Sequence, residues 1–217
     1  MNQVVTYEKE GALTTVKKYV LLSNSPRRKE LLSFLKPECF NPSVDERMIE
    51  EHFMTIFDSD PFLERASKVC CELAKAKANI IPEENVLYIS ADTIITTNDK
   101  IYHKPKSLEE AKETIRSYFG KSHYSVTAVC MKMKDYQEVF YSTAIIHFVD
   151  YYDSLESAIE DYVEASKPFD KAGAYSIRDI DPRFIEGITG DINTVIGLPI
   201  AEISKRLFKK SWLYNLV

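Results

Sequence analysis

The sequence predicts an α/β or α+β fold built around a mixed β-sheet. Apolar segments of strand length alternate along the chain with segments whose apolar residues recur every three or four positions. Interspersed strands and helices of this kind indicate helices packed on a sheet. With 217 residues, 45% of them hydrophobic, the chain can bury a substantial core in one domain, and two domains are the less favoured interpretation.

The first strand and helix are predicted from the segment that begins at Val16. The apolar run from Val16 to Leu22 is typical of a strand. Ser25 is a suitable N-cap and Pro26 a suitable first helical residue, so a short helix follows. The apolar side of this helix consists of Leu31, Leu32 and Leu35.

A second helix is predicted to begin after Asp60 and Pro61, and its amphipathic pattern is strong. Its apolar stripe is Phe62, Ala66, Val69, Leu73, Ala76 and Ile80. Further strands are predicted over 86–91, 124–133 and 138–149, with a hairpin turn at 98–99. Further helices are predicted after Ser107, which forms a capping box with Glu110, and after Ser154 and Pro199.

Composition argues against several classes of function. The net charge of −5 argues against a dedicated nucleic-acid-binding protein. No apolar run approaches the roughly 20 residues that a membrane helix needs. The four cysteines show no CxxC spacing, so we expect reduced thiols in an intracellular protein rather than disulfides or a zinc site.

The first 17 residues lack the apolar core of a signal peptide. We expect residues 1–17 to be a polar, disordered lead-in and residues 18–217 to form a single domain. The expected location is the cytoplasm.

The segment from Ser23 to Arg28 is a candidate anion site. A strand, a Ser-Asn-Ser-Pro turn and a helix start would expose backbone N–H groups, and Arg27 and Arg28 would add guanidinium groups suited to phosphate oxygens. The alternative is a capped surface helix with solvated arginines, and this segment alone does not separate the two. Neither common glycine-rich phosphate loop occurs in the chain.

Asp92 is the second candidate, because it follows an apolar strand. A carboxylate at a strand end can be a base that activates water or a metal ligand, although turn N–H groups often satisfy such an Asp. A phosphoryl-aspartate mechanism would want a second Asp at position 94, which is Ile.

Three more charged residues are candidates: Glu46, Lys77 and Lys104. Lys77 lies at the edge of the apolar stripe, where its side chain either reaches water or enters a cleft. The carboxylates suit Mg²⁺ or Mn²⁺ better than zinc.

Seven segments together resemble the Maf family of nucleoside triphosphate pyrophosphatases. They are LLSNSPRRKELL, SVDE, AKA with Lys77, SADTIITTNDKIYHKP, GKSHYSVTAV, DKAGAYSIRD and GDINTVIGLP. They occur in the family's order and span roughly residues 20–205. The resemblance implies an elongated α/β fold with a central cleft, shared with the inosine-triphosphate pyrophosphatases. It also implies metal-dependent hydrolysis of a nucleotide to a monophosphate and pyrophosphate.

The resemblance also implies roles for individual residues. Asp92 matches the family's proton acceptor, and Arg27, Thr93 and Arg178 match positions linked to substrate choice. Other cleft positions are matched by Ser23, Arg28, Glu46, Lys77 and Lys104, with Glu46 and Asp92 as the expected metal ligands. Position 178 is usually Gln, so Arg178 replaces a donor and acceptor with a donor only, which bears on base selectivity.

The favoured hypothesis is therefore a pyrophosphatase of the dTTP/UTP branch, acting on these or modified nucleotides with Mg²⁺ or Mn²⁺. We expect a nucleotide substrate, no nucleic-acid or membrane partner, and a possible homodimer. The alternative is a non-catalytic regulator of cell division that binds nucleotide or nucleic acid. Sequence alone leaves open whether Asp92 is the base or a metal ligand.

Overall fold

A computed structural model describes residues 3–213 and shows a mixed sheet flanked by helices. The strands are β1 Gln3–Gly11, β2 Lys18–Leu22, β3 Glu38–Phe40, β4 Val86–Thr96, β5 Ile101–Tyr102, β6 Ser122–Met133, β7 Tyr136–Phe148 and β8 Ile185–Thr189. The α-helices are α1 Pro26–Leu31, α2 Glu46–Ile56, α3 Phe62–Lys77, α4 Leu108–Arg116, α5 Leu155–Ser166, α6 Ile192–Ile196 and α7 Ile200–Lys209. The predicted α/β class with a mixed sheet is confirmed.

The main path of the sheet runs β1-β7-β6-β4-β2-β3, with β5 on β4 and β8 on β7. β2 is parallel to both β3 and β4, whereas the other pairs are antiparallel. β4 is therefore the strand at which the parallel and antiparallel parts of the sheet meet. The carboxyl ends of parallel strands are a common place for ligands to bind.

Three groups of apolar side chains hold the helices on the sheet. α3 covers one face through Val69, Leu73 and their neighbours. α1 and α7 cover the opposite face, where Leu32 and Leu207 are fully buried. α4 and α5 pack around Tyr118 at the end of β7. Burial of a large apolar side chain typically contributes about 1.5–3 kcal/mol, so these contacts position the helices firmly.

The predicted second helix is α3, which ends at Lys77, so Ile80 lies beyond it. β4 is one continuous strand to Thr96 instead of ending at residue 91. At α4, the Ser107 hydroxyl accepts from the Glu110 N–H, but the Glu110 carboxylate accepts from the Lys106 N–H, so the capping box is incomplete. Helix α2 was not predicted, although its residues Ile49, Phe53 and Met54 recur at helical spacing and pack against the cluster that α3 forms.

The expected disorder of residues 1–17 is wrong for residues 3–11. These residues form β1, which pairs antiparallel with β7 from Gln3–Thr143 to Gly11–Tyr136. The Tyr7 hydroxyl donates to Glu72 at 2.7 Å, and Lys75 binds Glu8 at 2.6 Å. The charged residues that made this segment look like a lead-in are typical of an edge strand, which uses charge to prevent further pairing.

Within residues 3–213, no helix is long and apolar enough to cross a membrane.

We expect deletion of residues 1–11 to destabilise the protein and promote self-association. The deletion removes the ladder to β7 and both polar contacts to α3, and it exposes the backbone of residues 136–143 as a free edge. Thermal unfolding should show a decrease in Tm of about 5 °C or more, and light scattering should show larger species. Glu8→Gln, which removes only one charge, is the control. An unchanged Tm and an unchanged mass would show that β1 contributes nothing.

Candidate active site

A cleft of about 910 Å³ opens beside β4, where this strand loses its parallel neighbour. The pairing of β2 with β4 ends at Leu22 and Ser90, while β4 continues to Thr96 against β6. The edge of β4 after residue 90 therefore lacks β2 as a neighbour. Asp92 and Thr93 both line the cleft at this edge.

Asp92 and Lys77 form the centre of the candidate site. Lys77 Nζ lies 2.5 Å from Asp92 Oδ1 and 2.7 Å from Glu46 Oε1. The side chains of Asp92 and Lys77 are only 11% and 13% exposed, whereas that of Glu46 is half exposed. Burial lowers the pKa of Lys77, but Asp92 and Glu46 outweigh this effect and raise the pKa overall. Lys77 is therefore a stable cation at neutral pH.

α3 delivers Lys77 because its last turn is bonded to β4. The Ser90 hydroxyl donates to the Ala74 carbonyl at 2.6 Å. One turn earlier, the Cys70 thiol lies 3.4 Å from the Asp92 carbonyl and 3.9 Å from Asp92 Oδ2. The two possibilities that the sequence left open for Lys77 are thus resolved, because its side chain enters the cleft.

α2 brings further acidic side chains to the same cleft. Asp45 caps this helix by accepting from the Met48 N–H, which directs Glu46 of the first turn towards Lys77. Glu50, one turn later, also lines the cleft. Burial raises the pKa of Glu50, His103 opposes this, and Asp92 adds to the increase. Glu50 was not among the predicted site residues, because α2 was not predicted and none of the seven segments of the family resemblance contains position 50.

Arg28 is held by main-chain carbonyls rather than by carboxylates. Its guanidinium donates to the Gly197 carbonyl at 2.8 Å, the Ala91 carbonyl at 2.9 Å and Thr93 Oγ1 at 3.0 Å. A guanidinium has five N–H groups, so two remain for a ligand in the cleft that Arg28 lines. Gly197 adopts a φ of 119°, a backbone conformation that favours glycine, and this conformation presents its carbonyl to Arg28.

The turn before α1 is already partly bonded to itself. The Ser23 hydroxyl accepts from the Ser25 N–H at 3.2 Å, and the Ser25 hydroxyl accepts from the Arg28 N–H at 3.5 Å. Ser25 is therefore the predicted N-cap. α1 spans only six residues, so its dipole is weak and any anion here would depend mainly on side-chain charge.

Besides Arg28 and Lys77, five cations line the cleft, namely Arg27, Arg47, Lys104, Lys106 and Lys171. Arg47 pairs with Glu51 at 2.8 Å. Lys171 pairs with Asp170 at 2.8 Å. Arg27, Lys104 and Lys106 form no ion pair within the described part of the chain. They are therefore the cations most available to an anionic ligand.

Arg178 does not lie with the other predicted site residues. Its guanidinium binds Glu30 at 2.6 Å on the outer side of α1, and Arg178 is absent from the described residues that line the cleft. The link between Arg178 and substrate choice stays a prediction, and in this arrangement its guanidinium is paired with Glu30. Local sequence does not reveal this pair, because Glu30 is 148 positions away from Arg178.

Comparison with known proteins identifies the family. The pattern of the family described as "Maf-like protein" matches residues 18–210, most of the chain. This chain belongs to the Maf-like protein family. The match begins at the first residue of β2, so β1 lies outside it.

Curated relatives of this Maf-like protein have similar lengths. A dTTP/UTP pyrophosphatase of Thermotoga maritima is 35% identical over 197 residues, which cover 89% of each chain. A dTTP/UTP pyrophosphatase of Bacillus cereus is 36% identical over 194 residues, 88% of this chain and 95% of the relative. One of Bacillus thuringiensis subsp. konkukian is 37% identical over the same coverage.

The donor atoms in this Maf-like protein are compatible with a hard divalent cation. Among residues 3–213, no group of three or more His, Cys, Asp or Glu side chains is arranged to hold a metal. Mg²⁺, however, is usually held by one or two carboxylates together with substrate phosphates. Asp92 and Glu46, whose oxygens both lie within 2.7 Å of Lys77 Nζ, supply two such carboxylates.

We expect strong energetic coupling between Lys77 and Asp92. Lys77→Met leaves the buried Asp92 without its cation, and Asp92→Asn leaves the buried Lys77 to the half-exposed Glu46, whereas the double variant removes both charges of the pair. A double-mutant cycle measured by denaturant unfolding should give a coupling energy of about 1–3 kcal/mol. The exposed pair Arg47–Glu51 on α2 is the matched control and should give about 0.5 kcal/mol or less. Equal values for the two pairs would contradict the central role of Lys77.

Proposed function

We propose that this protein is a nucleoside triphosphate pyrophosphatase that converts dTTP and UTP to the monophosphate and pyrophosphate. The observation that carries the proposal is the Asp92–Lys77 pair, buried at the open edge of β4 in a cleft that also contains Arg27 and Lys104. The curated names of relatives matched over most of the chain support both the reaction and the two substrates.

Asp92 is suited to accept a proton from the attacking water. Lys77 binds Oδ1, and among residues 3–213 the one contact of Oδ2 is the weak one from the Cys70 thiol. Water would attack the α-phosphorus while its proton passes to Oδ2. The bond between the α-phosphorus and the α–β bridging oxygen breaks, and pyrophosphate leaves with that oxygen. A positioned base of this kind typically contributes a factor of about 10²–10⁴ to the rate.

The cations of the cleft would stabilise the charge that develops on the leaving group. Arg27, Lys104 and the two unused N–H groups of Arg28 can face phosphate oxygens. Because Arg28 is already fixed by the Gly197 and Ala91 carbonyls, it needs little reorganisation to bind. Preorganised donors accelerate a reaction when they bind the transition state more strongly than the substrate.

A divalent cation, Mg²⁺ or Mn²⁺, would be held by Asp92 and Glu46. When bound, it would neutralise phosphate charge and polarise the phosphorus–oxygen bonds. Asp92 would then serve both as a ligand and as the group that orients water. We also propose a cytoplasmic location, where nucleoside triphosphates are available. The formation of a homodimer stays a prediction.

The alternative, a non-catalytic regulator of cell division, receives no support from the relatives, which are named as enzymes. A phosphatase that removes only the terminal phosphate differs from the proposal in its products. Product identity therefore decides between the reactions.

Purified protein with Mg²⁺ or Mn²⁺ should release pyrophosphate and a monophosphate from dTTP or UTP, and EDTA should stop the reaction. The measurement is a panel of triphosphates in which pyrophosphate and inorganic phosphate are assayed separately. Restoration by added Mg²⁺ is the control for the chelator. Inorganic phosphate with a diphosphate product, or no product from any triphosphate, would refute the proposed function.

We expect Asp92→Asn to reduce kcat by at least about 10²-fold, because the amide cannot take up the proton. The fold should persist, as judged by circular dichroism. Asp45→Asn is the matched control, because Asp45 is an exposed N-cap and Asn caps helices equally well. Near-normal turnover by folded Asp92→Asn would show that the carboxylate is structural.

A further inference from the structure

A row of hydroxyl groups crosses the sheet below the cleft. Thr93 of β4 lies opposite Thr127 of β6, which in turn lies opposite Ser142 of β7. Thr194 of α6 lies over this row. Thr127, Ser142 and Thr194 are fully buried, whereas Thr93 is partly exposed and lines the cleft.

The hydrogen bonds in this row have a defined direction. Thr127 Oγ1 lies 2.7 Å from the Thr194 carbonyl, which can only accept, so Thr127 donates its single hydroxyl hydrogen there. Thr93 Oγ1 lies 2.9 Å from Thr127 Oγ1 and must therefore donate to it. Arg28 can only donate, and it donates to Thr93 Oγ1. The path runs from Arg28 through Thr93 and Thr127 to the Thr194 carbonyl.

This direction restricts what Thr93 can offer to a ligand. Its hydrogen points into the protein towards Thr127, and one lone pair accepts from Arg28. Only the second lone pair remains, so Thr93 can accept a hydrogen bond from the cleft but cannot donate one. A phosphate oxygen, which is also an acceptor, would be repelled at this position. The ligand group next to Thr93 must be a donor.

The side of β4 on which Thr93 lies indicates which part of a nucleotide supplies this donor group. Successive side chains of a strand point to opposite faces. Asp92 faces α3 and Lys77, whereas Thr93 faces α6. Tyr175, Ile177 and Val195 line the cleft and belong to one apolar cluster, and Val195 lies on α6, which the Thr93 side faces. An apolar surface of this kind suits a base. Uracil and thymine carry an N3–H donor, whereas cytosine carries an acceptor at N3.

We infer that Thr127 is a positioning residue that sets base selectivity by fixing the Thr93 hydroxyl as an acceptor for the N3–H of uracil or thymine. The inference rests on the proposed function and adds the residue that enforces the choice of base. Thr127 touches neither the cleft nor the reacting atoms. It acts by holding the hydrogen of Thr93 away from the ligand.

The test is the ratio of kcat/KM for UTP to kcat/KM for CTP. In Thr127→Val the acceptor of the Thr93 hydrogen is absent, so that hydroxyl can rotate and donate to cytosine N3. We expect this ratio to fall by about tenfold, which is the effect of one hydrogen bond. The value of kcat/KM should increase for CTP and decrease for UTP. Thr127→Ser keeps the hydroxyl and should restore the original ratio.

One variant separates this role from a general effect on the fold. Ser142→Ala removes a hydroxyl from the same row without interrupting the path, because Thr194 Oγ1 is its partner. It should leave the ratio unchanged, and all variants should keep a cooperative melting transition.

Three outcomes decide the inference. A changed ratio in Thr127→Val with rescue by Thr127→Ser supports it. Equal losses for UTP and CTP in Thr127→Val, or an equal change of ratio in Ser142→Ala, overturns it. If unmodified protein releases no pyrophosphate from any triphosphate, the proposed function itself fails, and this is distinguishable from an unchanged ratio in an active enzyme.

Discussion

The ammonium group of Lys77 between two carboxylates is the interaction on which the candidate site depends. It joins three separate elements, because Lys77 ends α3, Asp92 lies on β4 and Glu46 begins α2. Two charges near a protein interior are costly unless their partners compensate for the lost water. The packing of α3 therefore has a chemical consequence: a shift of the helix by one residue would leave Asp92 uncompensated. The apolar stripe of α3 and the Ser90–Ala74 hydrogen bond prevent such a shift.

Arg28 fixes the opposite side of the cleft in a different way. It bonds α1 to β4 and to Gly197 at the end of α6 through two carbonyls and one hydroxyl. Burial lowers the pKa of Arg28 and Asp92 opposes this, but a guanidinium remains charged at neutral pH. Arg27 and Arg28, which follow Pro26, thus have different roles. Arg28 organises the site, and Arg27 remains available to a ligand.

The predictability of the site follows from the range of the interactions involved. Asp92 could be predicted because its signal is local: an apolar strand followed by a carboxylate. Lys77 was ambiguous because only the position of β4 decides between water and the cleft. Glu50 and the Arg178–Glu30 pair could not be found, since each depends on elements that are distant in sequence. Strand β1 was missed because edge strands are polar, and that polarity resembles disorder.

The alternation of side chains along β4 separates chemistry from recognition. Asp92 and Thr93 are neighbours in sequence, yet they face α3 and α6 respectively. A substitution on the α6 side can therefore alter which base is accepted without touching the Asp92–Lys77 pair. Conversely, a substitution of Asp92 can alter catalysis without changing which base is accepted, because the hydroxyl path from Arg28 to Thr194 contains no atom of Asp92. Arg28 is the exception, since it contacts Thr93 and the Ala91 carbonyl next to Asp92. Substitution of Arg28 should consequently affect turnover and base selectivity together, whereas substitution of Thr127 should affect selectivity alone.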